Sequence, residues 1–116
     1  MKILAIETAS DICGIAYIKN GKCEGLIEKS IPRKHAEQLP LFYQKLIKKT
    51  GLKLSELDGI AISIGPGSFT GLRIGLSYGK GLAYSHGLSI IPVPTLNSLV
   101  YSYGKLEGTI RVLLHS

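Results

Sequence analysis

Gly65-Pro66-Gly67-Ser68 separates a short apolar run, Gly59 to Ile64, from a segment with helical character. Backbone N–H groups at such a turn, followed by a helix start near Ser68 or Thr70, can face an anion without side-chain obstruction, so the loop could hold phosphate. The same glycines also serve a strand that must turn tightly into a helix, and the loop by itself leaves both readings open. Elsewhere the chemistry is sparse. His35, His86 and His115 are scattered over different elements, and no nucleophile has an adjacent general base. No catalytic residue, no metal site and no cofactor are expected.

The segment after the loop carries Gly71, Gly75 and Gly79 at i, i+4 and i+8, with Gly67 before them and Ala83 after them. On a helix this is one stripe almost without side chains, and each interior glycine costs about 1 kcal/mol relative to alanine. Close approach of another backbone would offset that cost. The neighbour could be the chain's own sheet, an adjacent helix or a second protein. A membrane helix pair is excluded, because Arg73 and Lys80 interrupt the stretch.

The elements that position these residues can be read in order. Lys2 to Glu7 is a buried strand. Ile12 to Ile18 and Lys22 to Lys29 flank Asn20-Gly21, a strong hairpin signal. His35 to Thr50 places Leu39, Phe42, Tyr43, Leu46 and Ile47 at helical spacing, with Gly51 as C-cap and Pro40 able to bend the early part. Asp58 to Ile64 is a strand, Thr70 to Ser85 the glycine-striped helix, and Ser89 to Val93 a further strand. Thr95 to Tyr103 reads as a short helix and Thr109 to Leu114 as a last strand. The order implies an α/β fold, a mixed five-stranded sheet in spatial order 3-2-1-4-5 of the ribonuclease-H-like kind, with helices on both faces. Right-handed crossovers place the first two helices side by side on one face. Leu39, Phe42, Tyr43 and Leu46 beside the Gly71, Gly75 and Gly79 groove are then expected to form a partly apolar interaction surface.

Composition bounds the rest. With 116 residues, 45% hydrophobic content and a mean hydropathy of +0.23, the chain is expected to build one core. The apolar run after Met1-Lys2 is too short for a signal peptide, so a cytoplasmic protein without a membrane segment is expected. If Asn20-Gly21 is the hairpin turn, Cys23 pairs with Ile18 and Cys13 points to the opposite face, which excludes a disulfide and makes both small buried hydrophobes. The net charge of +6 and pI of about 9.4 permit an acidic partner such as RNA. Lys45, Lys48, Lys49 and Lys53 cluster where a helix ends and complement its dipole, which an ordinary solvated face also does.

The opening Ile3-Leu4-Ala5-Ile6-Glu7-Thr8-Ala9, the helix start His35-Ala36-Glu37-Gln38-Leu39-Pro40 and the run from Gly65 to Gly75, GPGSFTGLRIG, together resemble the TsaB (YeaZ) family. The resemblance implies an actin-like ATPase lobe, and a non-catalytic partner of a TsaD-like protein in making N6-threonylcarbamoyladenosine next to the tRNA anticodon. It further implies a TsaE-like ATPase as an additional partner and tRNA met indirectly through the complex. A homodimer is expected when the chain is alone. The catalytic relatives carry a metal-binding H-x-x-x-H after the strand corresponding to Ser89–Val93; here Thr95 and Leu99 stand at those positions, so no catalytic metal is expected. Residues 1–108 correspond to the first lobe and residues 109–116 to the start of a missing or truncated second one. The alternative is a nucleotide-binding half-domain of an actin-like phosphotransferase or ATPase, with Glu7, Thr8, Gly65, Gly67 and Ser68 near phosphate. An older glycoprotease label on such families finds no protease mechanism here.

Overall fold

A computed structural model describes residues 1–31, 33–65 and 67–93. Five strands and two α-helices follow in the order β1 (Lys2–Glu7), β2 (Ile12–Lys19), β3 (Lys22–Ser30), α1 (His35–Thr50), β4 (Gly59–Ser63), α2 (Phe69–His86) and β5 (Ser89–Val93). A single 3-10 turn, Leu54–Glu56, precedes β4. The strands form one sheet in the order β3-β2-β1-β4-β5. The β1–β2 and β2–β3 pairs are antiparallel, and β4 runs parallel to both β1 and β5. This is the expected α/β arrangement.

Local chemistry explains the boundaries. Asn20 and Gly21 both adopt positive φ, 52° and 78°, which matches the right-handed twist of the strands they join and sets Lys19 opposite Lys22. Helix α1 ends at Gly51, left-handed at φ 72°, whose N–H donates to Ile47 O. Pro40 sits inside α1 without ending it. Helix α2 begins one residue earlier than its glycine pattern suggests, because Ser68 takes the N-cap and its Oγ accepts from Gly71 N–H. The helix and strand expected after Val93, and the proposed boundary at residues 108 and 109, lie outside the described residues.

Both described helices lie on one face. Leu4, Ile6, Ile15, Tyr17, Ile60 and Ile62 point to that side and pack with Leu39, Phe42 and Leu46 of α1 and Ala83 of α2. Ile3, Ala5, Ala16, Ile18, Ala61, Ile91 and Val93 form a second cluster on the other face. The strand alternation therefore supplies two apolar sides, as in a sheet covered on both faces.

Cys13 belongs to the helix-side cluster and Cys23 packs against the opposite one, and both are free thiols, as the hairpin register requires. Burial pushes the Cys13 thiol up to about 11 from an ordinary value of 9.0. Its thiolate is therefore about 100-fold scarcer near pH 8 than that of an unperturbed cysteine. Burial raises the half-buried Cys23 thiol as well, but Cys13 is wholly enclosed, so native protein treated with a thiol-reactive dye at pH 8 should label slowly at Cys23 and leave Cys13 unmodified until denaturant is added. Peptide mass mapping reads the outcome.

Candidate functional site

The carboxyl ends of β1 and β4 bring Glu7 and Thr8 up against the glycine-rich loop. Glu7 and Thr8 are buried there, and Gly67 and Ser68 stand beside them. A Cβ on Gly67 would overlap the carbonyl of Ala9, and a Cβ on Gly71 would overlap the carbonyl oxygen of Thr8. Thr8 Oγ1 donates to Gly71 O at 2.6 Å, and Ser68 N–H donates to Ala9 O at 2.6 Å. Ala9 N–H donates to Glu7 Oε1 at 3.1 Å. Glu7, Thr8, Gly67 and Ser68, four of the five residues expected near an anion, are thus close together. Two of the N–H groups at the start of α2, those of Ser68 and Gly71, are bonded within the chain. Among the described residues no group of three His, Cys, Asp or Glu could hold a metal ion.

The glycine stripe faces inward, and this corrects the expected interface. Gly71, Gly75 and Gly79 are buried. A Cβ at Gly75 would strike Thr8 Oγ1 and one at Gly79 would strike Ile62 Cδ1, so α2 lies directly on β1 and β4. The neighbouring backbone that the spacing demanded is the chain's own sheet. Leu39, Phe42 and Leu46 are likewise core residues, at 0, 3 and 0% exposure. Phe42 and Leu46 cannot meet a partner without leaving the sheet, and Leu39 only floors the groove between the helices. Of the residues expected at the surface only Tyr43 keeps partial exposure, and its ring stands edge-on to Tyr78, 6.1 Å between centroids and 75° between planes. Burial pushes the Tyr78 hydroxyl up to about 12, and neighbouring Tyr43 adds to the shift.

The surface that the two helices do offer is different. Between them runs a groove of about 550 Å³ lined by Ala36 and Leu39 of α1 and by Thr70, Arg73, Ile74, Ser77 and Tyr78 of α2. Because the glycines hold one side of α2 against the sheet, the opposite side presents Phe69 and Leu76, 73 and 37% exposed, with Arg73 5.8 Å over the Phe69 ring. The pattern that reveals this face in sequence is Phe69, Arg73, Leu76, Lys80 and Tyr84, half a turn from the glycines. It is legible once the inward side of the stripe is settled.

His35 is a second residue whose role the sequence hid. It opens α1, is 5% exposed, and its Nε2 lies 2.7 Å from Ser10 O and 3.2 Å from Ile12 O. Hydrogen-bonded there, it ties the first turn of α1 to the connection between β1 and β2. A neighbouring polar hollow of about 450 Å³ joins Ser10, Asp11, Arg33, His35, Ser68 and Thr70 across the mouths of both helices.

Comparison with known proteins gives consistent results. The family model for TsaD, tRNA N6-adenosine threonylcarbamoyltransferase, matches residues 7–114. The tRNA threonylcarbamoyladenosine biosynthesis protein TsaB of Escherichia coli strain K12 is 35% identical over 113 residues, 97% of this chain and 48% of the relative. A tRNA N6-adenosine threonylcarbamoyltransferase of Geobacillus thermodenitrificans is 29% identical over 116 residues, covering 86% of this chain and 34% of that protein. Among solved structures, YeaZ from Pseudomonas aeruginosa superposes with a TM-score of 0.78 and 32% identity, over 92% of this chain and 50% of the other. The chain spans about half the length of the TsaB and YeaZ proteins it matches.

Proposed function

The chain belongs to the family of TsaB (YeaZ) and TsaD proteins, and on that premise we propose that it serves tRNA threonylcarbamoyladenosine biosynthesis as a non-catalytic partner of a TsaD-like transferase. It works by protein–protein contact. The observation that carries this reading is the paired-helix surface: an inward glycine stripe seats α2 on the sheet, and the outward side together with the α1–α2 groove exposes Phe69, Arg73, Leu76 and Ser77. Arginine and aromatic side chains on a rigid apolar groove are the residue types that anchor protein interfaces.

The same face, lacking its partner, accepts a second copy of the chain, giving a homodimer in isolation. A TsaE-like ATPase is a further partner of the proposed assembly. In sequence, Thr95 and Leu99 replace the imidazoles that would hold a catalytic metal, which supports the non-catalytic role. The alternative of a nucleotide-binding half-domain draws less support, because the N–H groups of Ser68 and Gly71 already have partners within the chain.

The test is capture of the purified TsaD-like protein from the same organism. Ser77 is exposed and lines the groove, so Ser77→Arg should fill it without disturbing the core. The expected result is at least a tenfold loss of capture, about 1.4 kcal/mol, with an unchanged urea midpoint. Full capture by the variant would place the interface elsewhere, and no capture by the unaltered chain would remove the partner reading itself.

A further inference from the structure

Lysines that are distant in sequence converge at the end of the molecule opposite the glycine-rich loop. Lys2 pairs with Lys19 across β1 and β2, and Lys19 pairs with Lys22 across β2 and β3. Directly paired residues share a face, and Lys2 is two positions from Leu4, so this row lies on the helix side of the sheet. Helix α1 comes down onto the same end. A Cβ on Gly25 of β3 would lie 2.5 Å from Thr50 Cγ2 and 3.7 Å from Lys49 Cδ, which places the stem of Lys49 over the hairpin. Lys48 shares that last turn. Lys53 follows, and the stretch beyond it returns to β1 through the hydrogen bond from Asp58 N–H to Lys2 O.

Opposing charge is present but incomplete. Lys2 Nζ pairs with Glu56 Oε2 at 3.3 Å, and Asp58 and Glu24 lie nearby. Lys19, Lys22, Lys48, Lys49 and Lys53 are exposed, and no carboxylate is within ion-pair distance of them among the described residues. Like charges directly opposite each other in a sheet are destabilising. An anion with regularly repeated charge relieves that repulsion at several positions together.

We propose that this lysine pole is a phosphate-binding face through which the chain touches RNA directly. The choice of RNA rests on the tRNA-modification reading above, whereas the site is separate from the α1–α2 groove. The side chains favour this occupant over a folded protein. Lysines are point charges suited to phosphates. The large exposed hydrophobics Leu41, Ile64, Phe69, Leu76 and Tyr84 are absent from β1, β2, β3 and the last turn of α1, so a protein partner would find no apolar anchor there.

Fluorescence anisotropy with labelled unmodified tRNA, titrated with the chain alone at several salt concentrations, tests the proposal. The unaltered chain should bind with a linear fall of log affinity against log salt. Combining Lys19→Gln, Lys22→Gln and Lys49→Gln should weaken binding by about tenfold or more at low salt and reduce the slope by roughly 2–3. Lys34→Gln, at the start of α1, is the control and should change neither. Absence of binding by the unaltered chain at low salt, an unchanged affinity in the triple variant, or equal competition by polyglutamate of matched charge would overturn the proposal. Capture of the TsaD-like protein is measured in parallel. The triple variant should capture normally, which also reports that it is folded. Loss of capture by the unaltered chain, with tRNA binding intact, would count against the partner reading and leave the lysine face standing.

Discussion

Gly71→Leu is expected to leave no soluble folded protein, and Gly71→Ala is expected to lose roughly 2–4 kcal/mol of stability. A methyl group at this position overlaps the carbonyl oxygen of Thr8, a backbone atom of the buried residue just after β1 that cannot swing aside. The same displacement breaks the 2.6 Å hydrogen bond from Thr8 Oγ1 to Gly71 O. Improved helix propensity returns only about 1 kcal/mol. Gly81 provides the counterpart on the same helix: a Cβ there meets nothing within 4 Å, so Gly81→Ala should stabilise by about 0.5–1 kcal/mol. Urea denaturation of the two alanine variants checks both signs. A Gly71→Ala protein as stable as the parent would mean that α2 is not seated on β1 at this contact.

That pair of glycines shows how far sequence pattern reaches. The spacing of Gly67, Gly71, Gly75, Gly79 and Ala83 establishes that a backbone must come close, because so many interior glycines are otherwise too costly. It does not say whose backbone. The answer depends on the connection from β4 into α2, which rotates the stripe toward β1, and on Thr8 lying at the contact point. Strand order was legible for a related reason. A hairpin fixed by Asn20-Gly21, followed by crossovers of one hand, leaves few arrangements for five strands. His35 was hidden because its partners, the carbonyls of Ser10 and Ile12, have no side-chain signature. The lysine pole was half visible, since the cluster at the end of α1 is contiguous in sequence, but Lys2, Lys19 and Lys22 join it only through strand register.

Leu39 and Tyr43 should separate core from surface on α1. Leu39 is fully buried between α1 and the sheet, so Leu39→Ala leaves a cavity and is expected to cost about 2–5 kcal/mol. For a chain whose total stability is of the order of 5–15 kcal/mol, this alone brings α1 close to detachment. Tyr43 touches the core from its edge and meets Tyr78 in a T-shaped pair, an arrangement worth about 0.5–1.5 kcal/mol beyond its buried area. Tyr43→Ala should therefore lower the urea midpoint less than Leu39→Ala, while removing the ring that backs Tyr78, a lining residue of the groove, and reducing capture of a TsaD-like protein. Leu46→Ala, measured at a urea concentration where it is still folded, should capture normally, because Leu46 is fully buried against the sheet and does not line the groove. A Leu46→Ala variant with an unchanged midpoint and abolished capture would reverse the assignment, returning Leu46 from the core to the interface and placing the partner between the helix and the sheet.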